Sequence, residues 1–136
     1  DTQMSMFEYA TRKKLRFASS KGELTVEQLW DVPLRGRDDF NLDTIAKGAN
    51  KALKALSEES FVRTERTPDQ YRAEMALEIV KHVIQVRLDE EETAKQRAAN
   101  KVEREKLLAI LAEKQDGKLS ELTERELQKR INALNV

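Results

Sequence analysis

Cysteine is missing from this chain of 136 residues. Without it there can be no disulfide framework, no thiolate zinc site and no cysteine nucleophile, a composition that suits a reducing compartment. Two prolines and four glycines leave few helix breakers. The glycines stand too far apart for a phosphate-cradling loop, and neither G-x-x-x-x-G-K-[ST] nor G-x-G-x-x-G occurs. One histidine, His82, is too little for the usual acid–base or nucleophilic constellations, and it reads as an ordinary helix residue one turn from Glu78. No apolar run approaches the roughly 20 residues of a membrane span, and the chain start lacks the pattern of a signal peptide. These absences predict a soluble protein of the cytoplasm, needing no cofactor and no metal.

Charge is plentiful and carries no net sign: 25 basic residues stand against 25 acidic ones, and charged residues make up 37% of the chain. That exceeds the roughly 25% of an ordinary domain, while hydrophobic residues, at 39%, run low. High charge with a small core means either disorder or long solvated helices, and the balance of signs disfavours a self-repelling disordered chain. The expected fold is therefore mainly α, with a small N-terminal α+β module over residues 4–66 and a long charged helix with a C-terminal helical hairpin over residues 67–136. Asp1 to Gln3, which precede Met4 and Met6, are left out of this expectation.

In the module, Phe7, Tyr9, Thr11, Lys13, Leu15 and Phe17 occupy alternate positions, which predicts a strand. Ser19 to Gly22 supply turn chemistry, and Glu23-Leu24 can pair back as a short hairpin. Thr25-Val26-Glu27-Gln28 is a capping box with Leu24 and Leu29 as its staple, so a short helix starts there and is closed off by Pro33. After the polar loop Arg35 to Asp39, Asn41 caps an amphipathic helix carrying Ile45, Ala49, Ala52, Leu53 and Leu56 on one face.

Thr67-Pro68 opens the long helix, cap then proline at the first position, and no breaker follows until Gly117, a run of roughly 70 Å at 1.5 Å per residue. Met75, Ile79, Val83 and Val86 form one apolar stripe and Leu77, Val80, Ile84 and Leu88 a second, so this section is predicted to be buried on two sides. From Asp89 to Lys106 the only large apolar residue is Val102, and i,i+4 charge pairs keep the helix formed in water. Leu107-Leu108-Ala109-Ile110-Leu111 is apolar again. Asp116-Gly117 reads as the stop, and a capping box at Thr123 to Glu126 starts a last helix bearing Leu127, Ile131 and Leu134. These apolar groups are too few to bury one another. Trp30 is expected in the core of the module, with a partner anchor as its alternative role, and together with it Leu107, Leu108, Leu111, Leu127, Ile131 and Leu134 are the candidate surface for self-association or for a protein partner.

Two charged clusters have competing readings. Asp89-Glu90-Glu91-Glu92 could attract a hard cation, but four successive helical residues point four ways and read as a solvated face. Arg12, Lys13, Lys14 and Arg16 lie between Tyr9 and Phe17, an arrangement that could track phosphates and stack bases. With a net charge of +0 there is no global field to steer nucleic acid, so a solvated strand edge is the favoured reading and a nucleic-acid-associated factor the alternative.

The runs FEYATRKKLRF, LTVEQLWDVPL and EIVKHVIQVRLDEEETAKQRAANKVEREKLLAILAEKQDGKLSELTERELQKRI resemble a group of small, mainly helical proteins of tailed bacteriophages and prophages. The resemblance extends from Phe7 to Leu134 and rests on the order of segments: aromatic strand, T-x-E-x-L-W helix start, long alanine- and charge-rich helix, capped last helix. The group has no assigned activity, so no functional residues carry over. The resemblance implies a phage setting, as a small virion component or as an early factor acting on host machinery in the host cytoplasm. The expected function is non-enzymatic protein–protein interaction, with a second copy or another protein as partner.

Overall fold

A computed structural model describes residues 2–58, 62 and 65–134, with side chains from residue 5 onward. The elements in order are α1 (Thr2–Lys13), β1 (Phe17–Ser19), β2 (Gly22–Leu24), α2 (Val26–Leu29), α3 (Leu42–Glu58), α4 (Pro68–Ser120) and α5 (Glu124–Leu134). The expected mainly α fold with a small N-terminal hairpin is observed. No helix among the described residues is long and apolar enough to cross a membrane. Two compact units divide the chain, Asp1–Glu91 and Glu92–Val136.

The first element corrects the expected strand from Phe7 to Phe17: it is helical as far as Lys13 and begins at Thr2, inside the segment set aside above. The aromatic alternation misled because the buried positions are Met6 and Ala10, four apart on one helix face. Phe7 and Tyr9 flank that face and reach α4 edge-on, with ring centroids 5.5 Å from His82 and 5.1 Å from Tyr71. Lys14 ends the helix with φ of 53°, and the Leu15 N–H donates back to the Ala10 carbonyl at 3.0 Å. This is a left-handed C-terminal cap of the kind glycine usually fills, occupied here by lysine.

The strand shrinks to three residues, antiparallel to β2 with Phe17 opposite Leu24 and Ser19 opposite Gly22. Gly22, at φ of 103°, makes the turn a side chain would strain. The expected caps are present. Thr25 and Gln28 exchange both capping-box hydrogen bonds, at 3.2 and 2.8 Å. The Thr44 N–H donates to Asn41 Oδ1 at 2.8 Å. Thr67 and Gln70 form a second reciprocal box, and Gln70 Nε2 also donates to the Leu56 carbonyl at 3.1 Å, tying the end of α3 to the start of α4.

The core of the first unit gathers Met6, Ala10, Leu15, Phe17, Leu24, Leu29, Val32, Leu42 and Ile45 around Ile79, Val80 and Val83 of α4. Residues from both predicted stripes of α4 are buried, Ile79 and Val83 from one and Leu77 and Val80 from the other, whereas Leu88 at the end is exposed. Arg87 closes the base: its Nη1 donates to the carbonyls of Trp30 and Val32, both at 2.8 Å, which fixes the chain leaving α2.

In the second unit α4 is not stopped by Gly117, as expected, but continues to Ser120. Gly117 does not take the left-handed conformation, its carbonyl accepts the Glu121 N–H at 3.1 Å, and a single glycine costs a helix only about 1 kcal/mol. Thr123 then caps α5, its hydroxyl accepting the Glu126 N–H at 3.2 Å.

Substitutions at two positions test these contacts. Lys14→Gly relieves the left-handed conformation and should stabilise the first unit by about 0.5 kcal/mol or more, read as a higher urea midpoint of Trp30 fluorescence, while Lys14→Val should lower it. Arg87→Met leaves two carbonyls without their charged donor and should cost about 1–3 kcal/mol by the same measurement.

Candidate functional site

Arg12, Lys13 and Lys14 do not lie on a strand edge. They form the last turn and cap of α1, where cations complement the negative end of the helix dipole. Arg12 pairs with Glu8 one turn back at 3.5 Å, with both side chains exposed. Arg16 follows the cap and donates through Nη1 to the Leu15 carbonyl at 2.9 Å. Arg72 of α4 joins this corner by donating to the Lys13 carbonyl at 3.3 Å, a neighbour that sequence spacing could not reveal. Tyr9 and Phe17 are not stacking platforms beside these charges: Phe17 is buried, and Tyr9 is half-buried against Tyr71. The interleaving of rings and cations along the sequence thus separates into a core side and a solvent side.

Beside Arg16 lies a recess of about 240 Å³ lined by Phe17, Ile45, Gly48, Ala52, Ala73 and Ala76. Among the described residues, no atom outside the helix's own neighbouring backbone lies within 4 Å of the position a Cβ would take on Gly48. The recess is smaller than the usual small-molecule site of roughly 300–1,000 Å³, and among the described residues that line it Arg16 alone is ionisable.

The acidic run is exposed on α4, and two of its four residues, Asp89 and Glu91, accept hydrogen bonds from other side chains. Asp89 accepts from Gln85 Nε2 at 2.9 Å, and Glu91 receives both terminal nitrogens of Arg35, at 3.1 and 3.2 Å. That forked pair raises the Arg35 pKa above its ordinary value, through the hydrogen bond to Glu91 and then its charge. His82 is half-buried on α4, its ring edge-on to Phe7 at 5.5 Å and to Trp30 at 6.3 Å.

Trp30 belongs to the first unit. It is half-buried, packs against the core and offers its carbonyl to Arg87, so its ring does not stand free as an anchor. The remaining candidates all fall in the second unit. Leu107, Leu108 and Leu111 of α4 are 57%, 51% and 51% exposed, and Leu127, Ile131 and Leu134 of α5 are exposed as well. Among the described residues of this unit none is buried, and Leu122 alone is half-buried. Asn100, Glu103, Arg104, Leu107, Leu108 and Leu111 line an open groove of about 400 Å³ on one face of α4, the last four at positions i, i+3, i+4 and i+7. Four residues at that spacing make the hole that receives a side chain from a facing helix. The leucines were legible in the sequence. The groove needed the helix to be continuous from Asn100 to Leu111.

Comparison with protein families, with characterised proteins and with solved structures finds no match.

Replacing Arg12, Lys13 and Lys14 together by alanine should leave the first unit folded, with its urea midpoint changed by no more than about 1 kcal/mol equivalent, because exposed charges contribute little. Gel shifts of both chains at low and moderate salt check the nucleic-acid alternative: salt-sensitive binding lost in the triple variant would favour it.

Proposed function

We propose that this chain is a non-enzymatic interaction protein that docks against other helices through the leucine face of its second unit. The supporting observation is the exposure of that face: large apolar side chains recur at helical spacing in a unit with no buried side chain among its described residues. Leu107, Leu108 and Leu111 of α4 and Leu127, Ile131 and Leu134 of α5 are each at least 36% exposed. Water contact with apolar surface is costly at roughly 25 cal/mol per Å², and cover by another helix removes it. The first unit, with its own core, is the folded module that the docking unit carries or joins to a partner. The resemblance to phage proteins sets this in a phage-infected cell or a virion, as a small structural component or an early factor.

The full chain at tens of micromolar should either sediment as an assembly or, as a monomer, take up the apolar dye anilinonaphthalene sulfonate. The double substitution Leu107→Glu and Leu111→Glu should abolish whichever behaviour is seen while the Trp30 melting transition of the first unit stays in place. A wild-type chain that neither assembles nor binds the dye would overturn the reading.

A further inference from the structure

We infer that the first unit binds a small monocarboxylate with an unbranched apolar chain, in the groove between α3 and α4 and with its carboxylate on Arg16 and Arg72. The site uses none of the exposed leucines of the second unit. Its apolar part begins with α3, which is amphipathic as far as Leu56 although the structure buries only its start. Leu42 and Ile45 enter the core, and from Ala46 to Glu58 no side chain is buried. The apolar face continues regardless. Ile45, Ala49, Ala52 and Leu56 border two recesses that share Arg16, Ala73 and Ala76 as common walls. One is the recess of about 240 Å³ at Gly48, and the other, of about 320 Å³, adds Leu56, Asp69 and Arg72. With walls in common they form one groove, and the second part alone reaches the lower end of the small-molecule range of roughly 300–1,000 Å³. At about 30 Å³ per water-sized group, the first part holds on the order of eight such groups.

The two parts differ in chemistry. In the first, every lining side chain except Arg16 is apolar and most are alanine, so it suits hydrocarbon. In the second, Asp69 and Arg72 join Arg16. Two guanidiniums against one carboxylate leave an excess of one positive charge, which a monoanion balances. Arg16 gives Nη1 to the Leu15 carbonyl at 2.9 Å and Arg72 gives Nη1 to the Lys13 carbonyl at 3.3 Å. Neither is paired with a carboxylate among the described residues. A guanidinium carries five N–H donors in a fork that matches a carboxylate, so each keeps donors for one. The ligand that suits both parts has hydrocarbon at one end and a carboxylate at the other. A nucleic-acid backbone, charged at every unit, would leave the apolar part unfilled.

Octanoate is the probe, titrated into the full chain while backbone amides are followed by nitrogen-15 NMR. It should shift the amides of Gly48, Ala49, Ala52, Ala73 and Ala76 saturably, with a Kd in the millimolar range. Octanamide has the same length without the charge and should bind roughly fivefold more weakly, the effect of a partly exposed charge pair. Arg16→Gln should weaken octanoate by a similar factor and leave octanamide unchanged, a difference that loss of structure alone would not give. The Trp30 melting transition reports that the variant is folded. No saturable shift at millimolar octanoate, shifts confined to the second unit, octanamide binding as tightly as octanoate, or Arg16→Gln holding octanoate as well as the wild type would overturn the inference. Shifts of the same amides with protein concentration alone would do so too, because a second copy would then occupy the groove.

Discussion

The first unit depends on one packing event, the burial of Ile79, Val80 and Val83 on α4. These three residues are completely buried, and every other element of the unit has a side chain in the cluster around them: Ala10 from α1, Phe17 and Leu24 from the hairpin, Leu29 from α2, Leu42 and Ile45 from α3. A three-residue hairpin and a four-residue helix are not stable in water alone. Each is held because it lays an apolar side chain on α4, worth about 1.5–3 kcal/mol when fully buried. The polar contacts then fix geometry: Arg87 positions the exit from α2, and Gln70 joins the end of α3 to the start of α4.

The same helix changes its physical character along its length. As far as Val83 it supplies a core, and from Leu88 to Ser120 every residue is exposed. No change in backbone accompanies the transition, because helix propensity and i,i+4 pairing sustain a helix without burial. Composition makes the difference. Where branched apolar residues appear on two faces, other elements pack around the helix. Where alanine and charge dominate, nothing in the unit does. The leucines that return at residue 107 therefore stand on a helix sustained without burial, and that helix sets their spacing.

In the first unit Arg16 and Arg72 donate to carbonyls beside the α1 cap, Arg35 forks onto Glu91, and the recess beside Arg16 is lined mainly by alanine. In the second, charged residues surround the exposed leucines of α4.

Much of this was legible in the residues because it is local. Thr25, Asn41, Thr67 and Thr123 act as caps in the structure, since a capping side chain bonds to backbone only two or three residues ahead. The long helix was legible from its lack of breakers, and the exposed leucines from the charge around them. Two local readings failed where packing outweighed pattern. Aromatics at odd positions from Phe7 suggested a strand, but α4 offers Met6 and Ala10 a surface that only a helix can meet with both. Gly117 suggested a stop, but the turns on either side carry the helix past it. Proximity across many residues was not legible at all: Arg72 at the α1 cap, Arg35 forked onto Glu91, Arg87 on two carbonyls and the recess at Gly48 each join segments whose meeting is set by the core. The sequence by itself determined the helices, their caps and which faces are apolar, because those follow from spacing and side-chain chemistry. The tertiary structure decided which apolar faces are covered, because burial depends on which segments meet, and it left the leucines of the second unit without cover.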